Sequence, residues 1–267
     1  VRTVQIIAPV YGGINLEDIS APRCFEIEAR LRDLLDIPVF HDDQHGTAIV
    51  VLAALTNALK LVKKDLANTK IVLSGVGAAG TAVARLLIAN GAKNIIGFGK
   101  DGLIFADKGD SDPMRKWFVE NCSPGSFRGD LSAAMKDADI FIGVSAPNVL
   151  TESDVKSMAK GAIVFALANP DPEIDPVIAR RHAAVVATGR SDQPNQINNV
   201  LAFPGIFRGL LDGHITKITD KMLVLAAEAI ASCVSDEQLN ANFIVPSVFD
   251  LNVVQKVAAA VKKSSKE

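Results

Sequence analysis

Residues 70–80 read KIVLSGVGAAG, and this stretch decides the fold. A short apolar run at 71–73 ends in Gly75-Val76-Gly77-Ala78-Ala79-Gly80. Beyond it the apolar side chains fall at Ala79, Val83, Leu86 and Leu87, a helical spacing. Strand, glycine turn and helix, with a second strand-like run at 94–98, form the βαβ context in which a GxGxxG pattern binds a dinucleotide. Gly75 permits the tight turn, Gly77 lets the backbone approach a pyrophosphate, and Gly80 lets the helix pack closely on the strand. The helix N-terminus supplies free N–H donors to the phosphates.

Outward from this turn, strand-like and helix-like segments alternate, as in a doubly wound α/β sheet. Strands are expected at 71–73, 94–98, 139–144, 162–166 and 184–187, and helices at 81–90, 113–121, 131–136, 152–158 and 176–182. Closing helices are expected at 205–211, 220–232 and 247–262, and a polar tail at 263–267. Upstream, residues 4–10 read as a strand already under way, Tyr11-Gly12-Gly13 as a turn, 22–35 as a helix and 38–40 as a short strand. A long helix is expected from 47 to about 64. The expected organisation is therefore a first unit at 1–45, the end of a truncated substrate and metal domain, followed at 46–267 by a Rossmann-like, mostly parallel sheet with its helices.

Carboxylates cluster at two strand ends, Glu17-Asp18 and Asp42-Asp43. Three or four carboxylates without a thiolate suit a hard, octahedral cation such as Mg²⁺ or Mn²⁺. The same residues also read as helix caps and solvated loop acids, with Asp43 capping the helix that starts near Thr47. His41 and His45 are four apart, but Asp-Asp-Gln lies between them and Gly46 signals a turn, so the helical zinc pattern HExxH is not matched.

The bulk composition narrows the class. Among 267 residues, 49% are hydrophobic and 22% charged, with a formal net charge of −2, so a good core is affordable and no basic stripe invites nucleic acid. The apolar segment 46–59 includes Thr47, Thr56 and Asn57 and reads as a buried helix rather than a membrane span. No signal peptide is visible. Cys24, Cys122 and Cys233 are odd in number and far apart, which fits a reducing compartment and a cytoplasmic location.

Five ordered motifs now join the two sites: GGINLEDI (12–19), FHDDQHGTA (40–48), SGVGAAG (74–80), ANPDPE (168–173) and NQINNVLAFPG (195–205). Together, across nearly the whole chain, they resemble the cofactor-binding portion of malic enzymes of the short bacterial type. The resemblance implies metal-dependent oxidative decarboxylation of L-malate to pyruvate and CO₂ with reduction of NAD or NADP, in a homodimer. It implies Glu17, Asp18 and Asp43 as ligands of Mg²⁺ or Mn²⁺, and Gly75, Gly77, Ala78, Ala79 and Gly80 as the pyrophosphate turn. Asn169 and Asn199 are implied to hold the substrate carboxylates; read without the family, an Asn just past a strand is often only a turn former.

Two departures from the family pattern stand out. The acid that would hold the ribose hydroxyls is expected ~20 residues past the fingerprint, where this chain has Gly99, then Lys100 and Asp101. Lys100 leans toward a 2′-phosphate and hence NADP, while Asp101 keeps the ribose reading open and a solvated turn lysine remains an alternative. The family also uses a general-base Lys and a general-acid Tyr in an N-terminal segment. The single tyrosine, Tyr11, sits in the turn before GGINLEDI and matches no such motif, so both roles are expected outside this chain. A malolactic-type enzyme and a nucleotide-binding module inactive by itself remain alternatives.

Overall fold

In the computed structural model, which describes residues 1–105, 113–122 and 125–264, the chain builds two separate sheets. The small one pairs β1 (Ile14–Leu16) and β2 (Val39–His41) in parallel, with Leu16 opposite His41. Helix Arg23–Leu34 connects them and seats Leu31 against Leu16 and Val39 in a small core of its own.

The large sheet comprises β3 (Lys70–Ser74), β4 (Asn94–Gly99), β5 (Gly102–Leu103), β6 (Ile140–Gly143), β7 (Ile163–Ala166) and β8 (Val185–Thr188). Its spatial order is β5-β4-β3-β6-β7-β8, parallel throughout except for the β4–β5 hairpin at the edge. Central strands β6 and β7 are buried at every residue, because both faces of a parallel sheet are covered. Alternate residues serve two cores: Ile71, Leu73, Ile142 and Phe165 face one side, Val72, Phe141, Val164 and Val186 the other. The order of strand addition reverses between the parallel neighbours β3 and β6, a topological switch point whose carboxyl edge is where such sheets bind ligands. This is the expected Rossmann-like doubly wound architecture.

The long apolar helix, Thr47–Val62, packs on helices Ala78–Ala89 and Asp220–Ala231. With the turn before it, 42–62 is long and apolar enough to cross a membrane, yet it lies within the fold. Its one buried amide, Asn57, donates to the carbonyls of Ala231 (3.0 Å) and Ile244 (2.9 Å), so its NH₂ group is satisfied within the core.

Several expectations need correction. Residues 4–10 are not a strand: Arg2–Ile7 is an α-helix continued by a 3₁₀ turn at Ala8–Val10. With no neighbouring strand, the backbone there satisfies itself locally, beginning with Gln5 N–H to Val1 C=O (3.0 Å), and a short apolar run alone does not separate the two states. The strand preceding Glu17-Asp18 is instead β1. Gly46 is not in an open turn: Asp42–Gly46 is one wide π turn running directly into the long helix, with no side-chain cap, so Asp43 is not an N-cap. The antiparallel β5 carries too short an apolar signal to be seen in the sequence. The last helix begins at Leu251 rather than 247 and runs to Ser264, and the remainder of the expected tail, 265–267, lies outside the described residues.

Candidate dinucleotide and dicarboxylate site

The glycine turn joins β3 to helix Ala78–Ala89. Gly75 adopts φ +97°, its N–H donates to the Phe98 carbonyl (2.8 Å), and a side chain there would come within 2.6 Å of the Val144 carbonyl oxygen. At Gly80 an added Cβ would collide with the Gly75 carbonyl, so helix and turn touch backbone to backbone. The outward side of Gly77 faces open space, and no side chain caps this helix N-terminus. The first-turn N–H groups are left for an anionic ligand.

A cavity of about 380 Å³ opens at the carboxyl ends of β6, β7 and β8. Ala79 of the glycine turn, Val144 and Ser145 after β6, Asn169 after β7, and Gly189 after β8 contribute to its walls. Asp43 and Thr47 enter from the π turn, and Ile197, Asn198 and Asn199 from the loop after β8. Thus Asp43, Ala79, Asn169 and Asn199, far apart in sequence, share one cavity. Glu17 and Asp18 are not in its wall but adjoin it, since the Asp18 N–H donates to Asp43 Oδ2 (2.9 Å) while Asp18 takes φ +55°.

The acidic cluster carries a charge conflict. Asp42 is buried, and burial, followed by the negative charges of Glu17 and Asp43, pushes its carboxyl up to about 6. A hydrogen bond from Asn199 Nδ2 to Asp42 Oδ2 (2.6 Å) opposes that rise, and Asp42 Oδ1 is buried without a partner. Gly46 is demanded here, because a Cβ would strike Asp42 Oδ1. Hard oxygen donors, mutual repulsion and an unpartnered buried oxygen fit a divalent cation. Among the described residues, however, no three acidic, histidine or cysteine side chains converge as a ready-made cage.

Helix Arg23–Leu34 fixes the π turn from behind. Glu28, buried, accepts from Gln44 Nε2 (2.9 Å), pairs with His45 Nε2 (2.6 Å) and bridges Arg32 (2.8 Å). Burial pushes the Glu28 carboxyl up, but the His45 hydrogen bond and the charges of His45 and Arg32 hold it below its ordinary value. His45 is therefore engaged by Glu28. His41 is fully buried, with neither ring nitrogen hydrogen-bonded, and burial lowers its pKa.

Lys100 lies apart, exposed in the turn between β4 and β5, and does not line the cavity. Asp101 meets Arg115 at 3.4 Å. The sequence reading passed over Ser145, Asn198 and Thr47 as lining residues, and Glu173 as a support. Thr47, Asn198 and Glu173 lie inside the quoted motifs, and Ser145 sits just beyond a central strand, where ligand-binding residues are expected. Glu173 is completely buried and accepts from the N–H of Ser145 (2.9 Å) and the N–H of Ala168 (3.0 Å).

Comparisons with known proteins identify what the whole chain is similar to. The family described as "Malic enzyme, NAD binding domain" matches residues 44–266. The NAD-dependent malic enzyme of Geobacillus stearothermophilus is 55% identical over 99% of this chain and 55% of its own length. The bifunctional malic/malolactic enzyme of Bacillus subtilis (strain 168) is 49% identical over 100% of this chain and 66% of its own. NADP-dependent malic enzymes also match, at 41% to 44% identity. The crystal structure of the NAD-dependent malic enzyme of Thermotoga maritima superposes with a TM-score of 0.92 at 45% identity, covering 98% of this chain and 69% of that one. The chain spans 55% and 66% of the length of the first two of these curated relatives, and 37% of the NADP-dependent malic enzyme of Rhizobium meliloti (strain 1021).

Proposed function

This chain belongs to the family of malic enzyme NAD-binding domains, and from that premise we propose that it serves metal-dependent oxidative decarboxylation of L-malate to pyruvate and CO₂, with NAD or NADP as hydride acceptor. The observation that carries the reading is the single cavity at the switch point, where the glycine turn, Asn169, Asn199 and Asp43 meet.

In this reading the turn at Gly75, Gly77, Ala78, Ala79 and Gly80 holds the pyrophosphate with backbone N–H groups and the positive end of its helix. Asn169 and Asn199 donate amide hydrogens to the malate carboxylates and orient C2 toward the nicotinamide. Glu17, Asp18 and Asp43 hold Mg²⁺ or Mn²⁺. When bound, the cation supplies Lewis-acid polarisation of the substrate oxygen and the nicotinamide accepts hydride. Asn199 also holds Asp42, so the same amide links substrate orientation to the acidic cluster. The base and the acid that move protons, a Lys and a Tyr by family resemblance, are assigned outside this chain, with residues 1–45 as the end of the domain that holds them and 46–267 as the dinucleotide domain. Homodimer formation and a cytoplasmic location belong to the same proposal.

A malolactic outcome is the second reading, favoured by the bifunctional relative; lactate in place of pyruvate, without net reduced cofactor, identifies it. Lys100, exposed beside the β4 end, is assigned to the 2′-phosphate. Lys100→Ala is then expected to weaken NADP⁺ binding several-fold and to leave NAD⁺ binding unchanged; equal effects on both would remove Lys100 from the site. The test of the metal assignment is Asp43→Ala in the full-length protein. It is expected to abolish metal-dependent turnover and spare nucleotide binding, and unaltered activity would refute the assignment.

A further inference from the structure

One buried carboxylate stands between the two loops that line the cavity. Glu173, at the end of the ANPDPE motif, is completely buried. Its Oε1 accepts from the Ser145 N–H (2.9 Å) and hydroxyl (3.3 Å), and its Oε2 accepts from the Ala168 N–H (3.0 Å). Ser145 follows β6; Ala168 follows β7 and immediately precedes Asn169. The Ser145 hydroxyl also lies 2.9 Å from that of Ser74, the last residue of β3 before the glycine turn. A continuous hydrogen-bonded chain, Ser74–Ser145–Glu173–Ala168, therefore crosses the floor of the site from the nucleotide turn to the substrate asparagine.

Space is reserved for this carboxylate: a Cβ on Gly143, the last residue of β6, would collide with it. Burial raises the Glu173 pKa against hydrogen bonds from Ser145 and Ala168, and among the described residues no charge offsets that burial. Burying a carboxylate without a cation is costly, and an apolar side chain would pack two loops with less penalty. The carboxylate offers instead acceptors on both sides at once, fixing one loop relative to the other.

We propose that Glu173 is a positioning residue that couples the glycine turn to Asn169 and so sets the bound substrate against the nicotinamide. The proposal rests on the malate-binding reading of Asn169 given above. Misplacing a reactant by about 1 Å costs up to ~100-fold in rate. In Glu173→Gln the side chain keeps its shape but presents an NH₂ to one of the two loop N–H groups, so one loop is released.

The experiment is a mutant cycle in the full-length protein, with Glu173→Gln, Asn169→Ala and the double variant, read as kcat, malate KM and nucleotide Kd. Glu173→Gln alone is expected to lower kcat about 10- to 100-fold while leaving the nucleotide Kd nearly unchanged. In the Asn169→Ala background it is expected to lower kcat hardly further, because two groups acting as one unit are non-additive. Full additivity, wild-type kcat, or a loss confined to nucleotide affinity would overturn the coupling. Should Glu173→Gln fail to fold, Ser145→Ala keeps the carboxylate and both backbone bonds and cuts only the hydroxyl link. It is expected to show a smaller kcat loss with the same non-additivity, and an unchanged kcat overturns the proposal. A second readout is independent of malate: nucleotide is expected to slow backbone hydrogen exchange at 168–169 in the wild type and not in the variants. If the wild type does not turn over malate, the substrate reading of Asn169 falls and this exchange difference alone decides on Glu173; equal slowing in variant and wild type refutes it.

Discussion

Glu173 shows how one side chain is held in a state that water would not choose. Its ionised form gains hydrogen bonds from both loops, but desolvation outweighs them and the carboxyl stays above its ordinary 4.5. The folded state therefore binds a proton more tightly than the unfolded one, so stability from this group is complete below pH ~4.5 and is lost as pH rises through the folded value. The difference in unfolding free energy between wild type and Glu173→Gln is accordingly expected to shift in favour of the variant as pH rises from 4.5 toward neutrality. Denaturant titrations of the pair across that range check this, and a difference that is flat or moves the other way contradicts it. None of this was readable from ANPDPE, because a string of residues does not reveal that its glutamate turns inward to accept from two loop N–H groups.

At the scale of elements, two local structures place the site. The glycine turn works by contact between backbones, so Gly80→Ala must push the helix away from the turn. Overpacking of this kind costs about 1–3 kcal/mol, and nucleotide affinity is expected to fall with it, as calorimetry would show; affinity and Tm equal to wild type would mean the helix can yield. The π turn Asp42–Gly46 depends on Glu28, and removing one member of a buried ion pair costs about 3–5 kcal/mol. Arg32, left behind in Glu28→Ala, is 32% exposed and keeps access to water, so the lower end is expected, checked by denaturant melts. The glycine turn was legible because its spacing encodes a backbone shape. The π turn was not: Gly46 suggested a break, whereas it is small only because Asp42 Oδ1 occupies the place of its side chain. The first helix was misread for a related reason, since Ile6 and Ile7 within it and Val10 in the turn after it are exposed and carry no signature of a core.

At the scale of the whole molecule, the succession of strands and helices was legible because the parallel strands of the large sheet are largely buried on both faces and so read as apolar runs. The order β5-β4-β3-β6-β7-β8 changes its direction of growth once, between β3 and β6, and the strand-end loops beside that point open onto one cavity. Proximity of Asn199 to Asp42, and of Asp43 to Ala79, is a property of the closed fold; the five motifs suggested it only through their resemblance to a family. The most direct measurement of the central claim is reduced-nicotinamide absorbance from the full-length protein with L-malate, Mn²⁺ and either NAD⁺ or NADP⁺, alongside a chelator control and an assay for pyruvate. The account predicts chelator-sensitive cofactor reduction with equimolar pyruvate, lost in Asn199→Ala and Asp43→Ala. Measurable nucleotide binding without cofactor reduction by either nucleotide would contradict it.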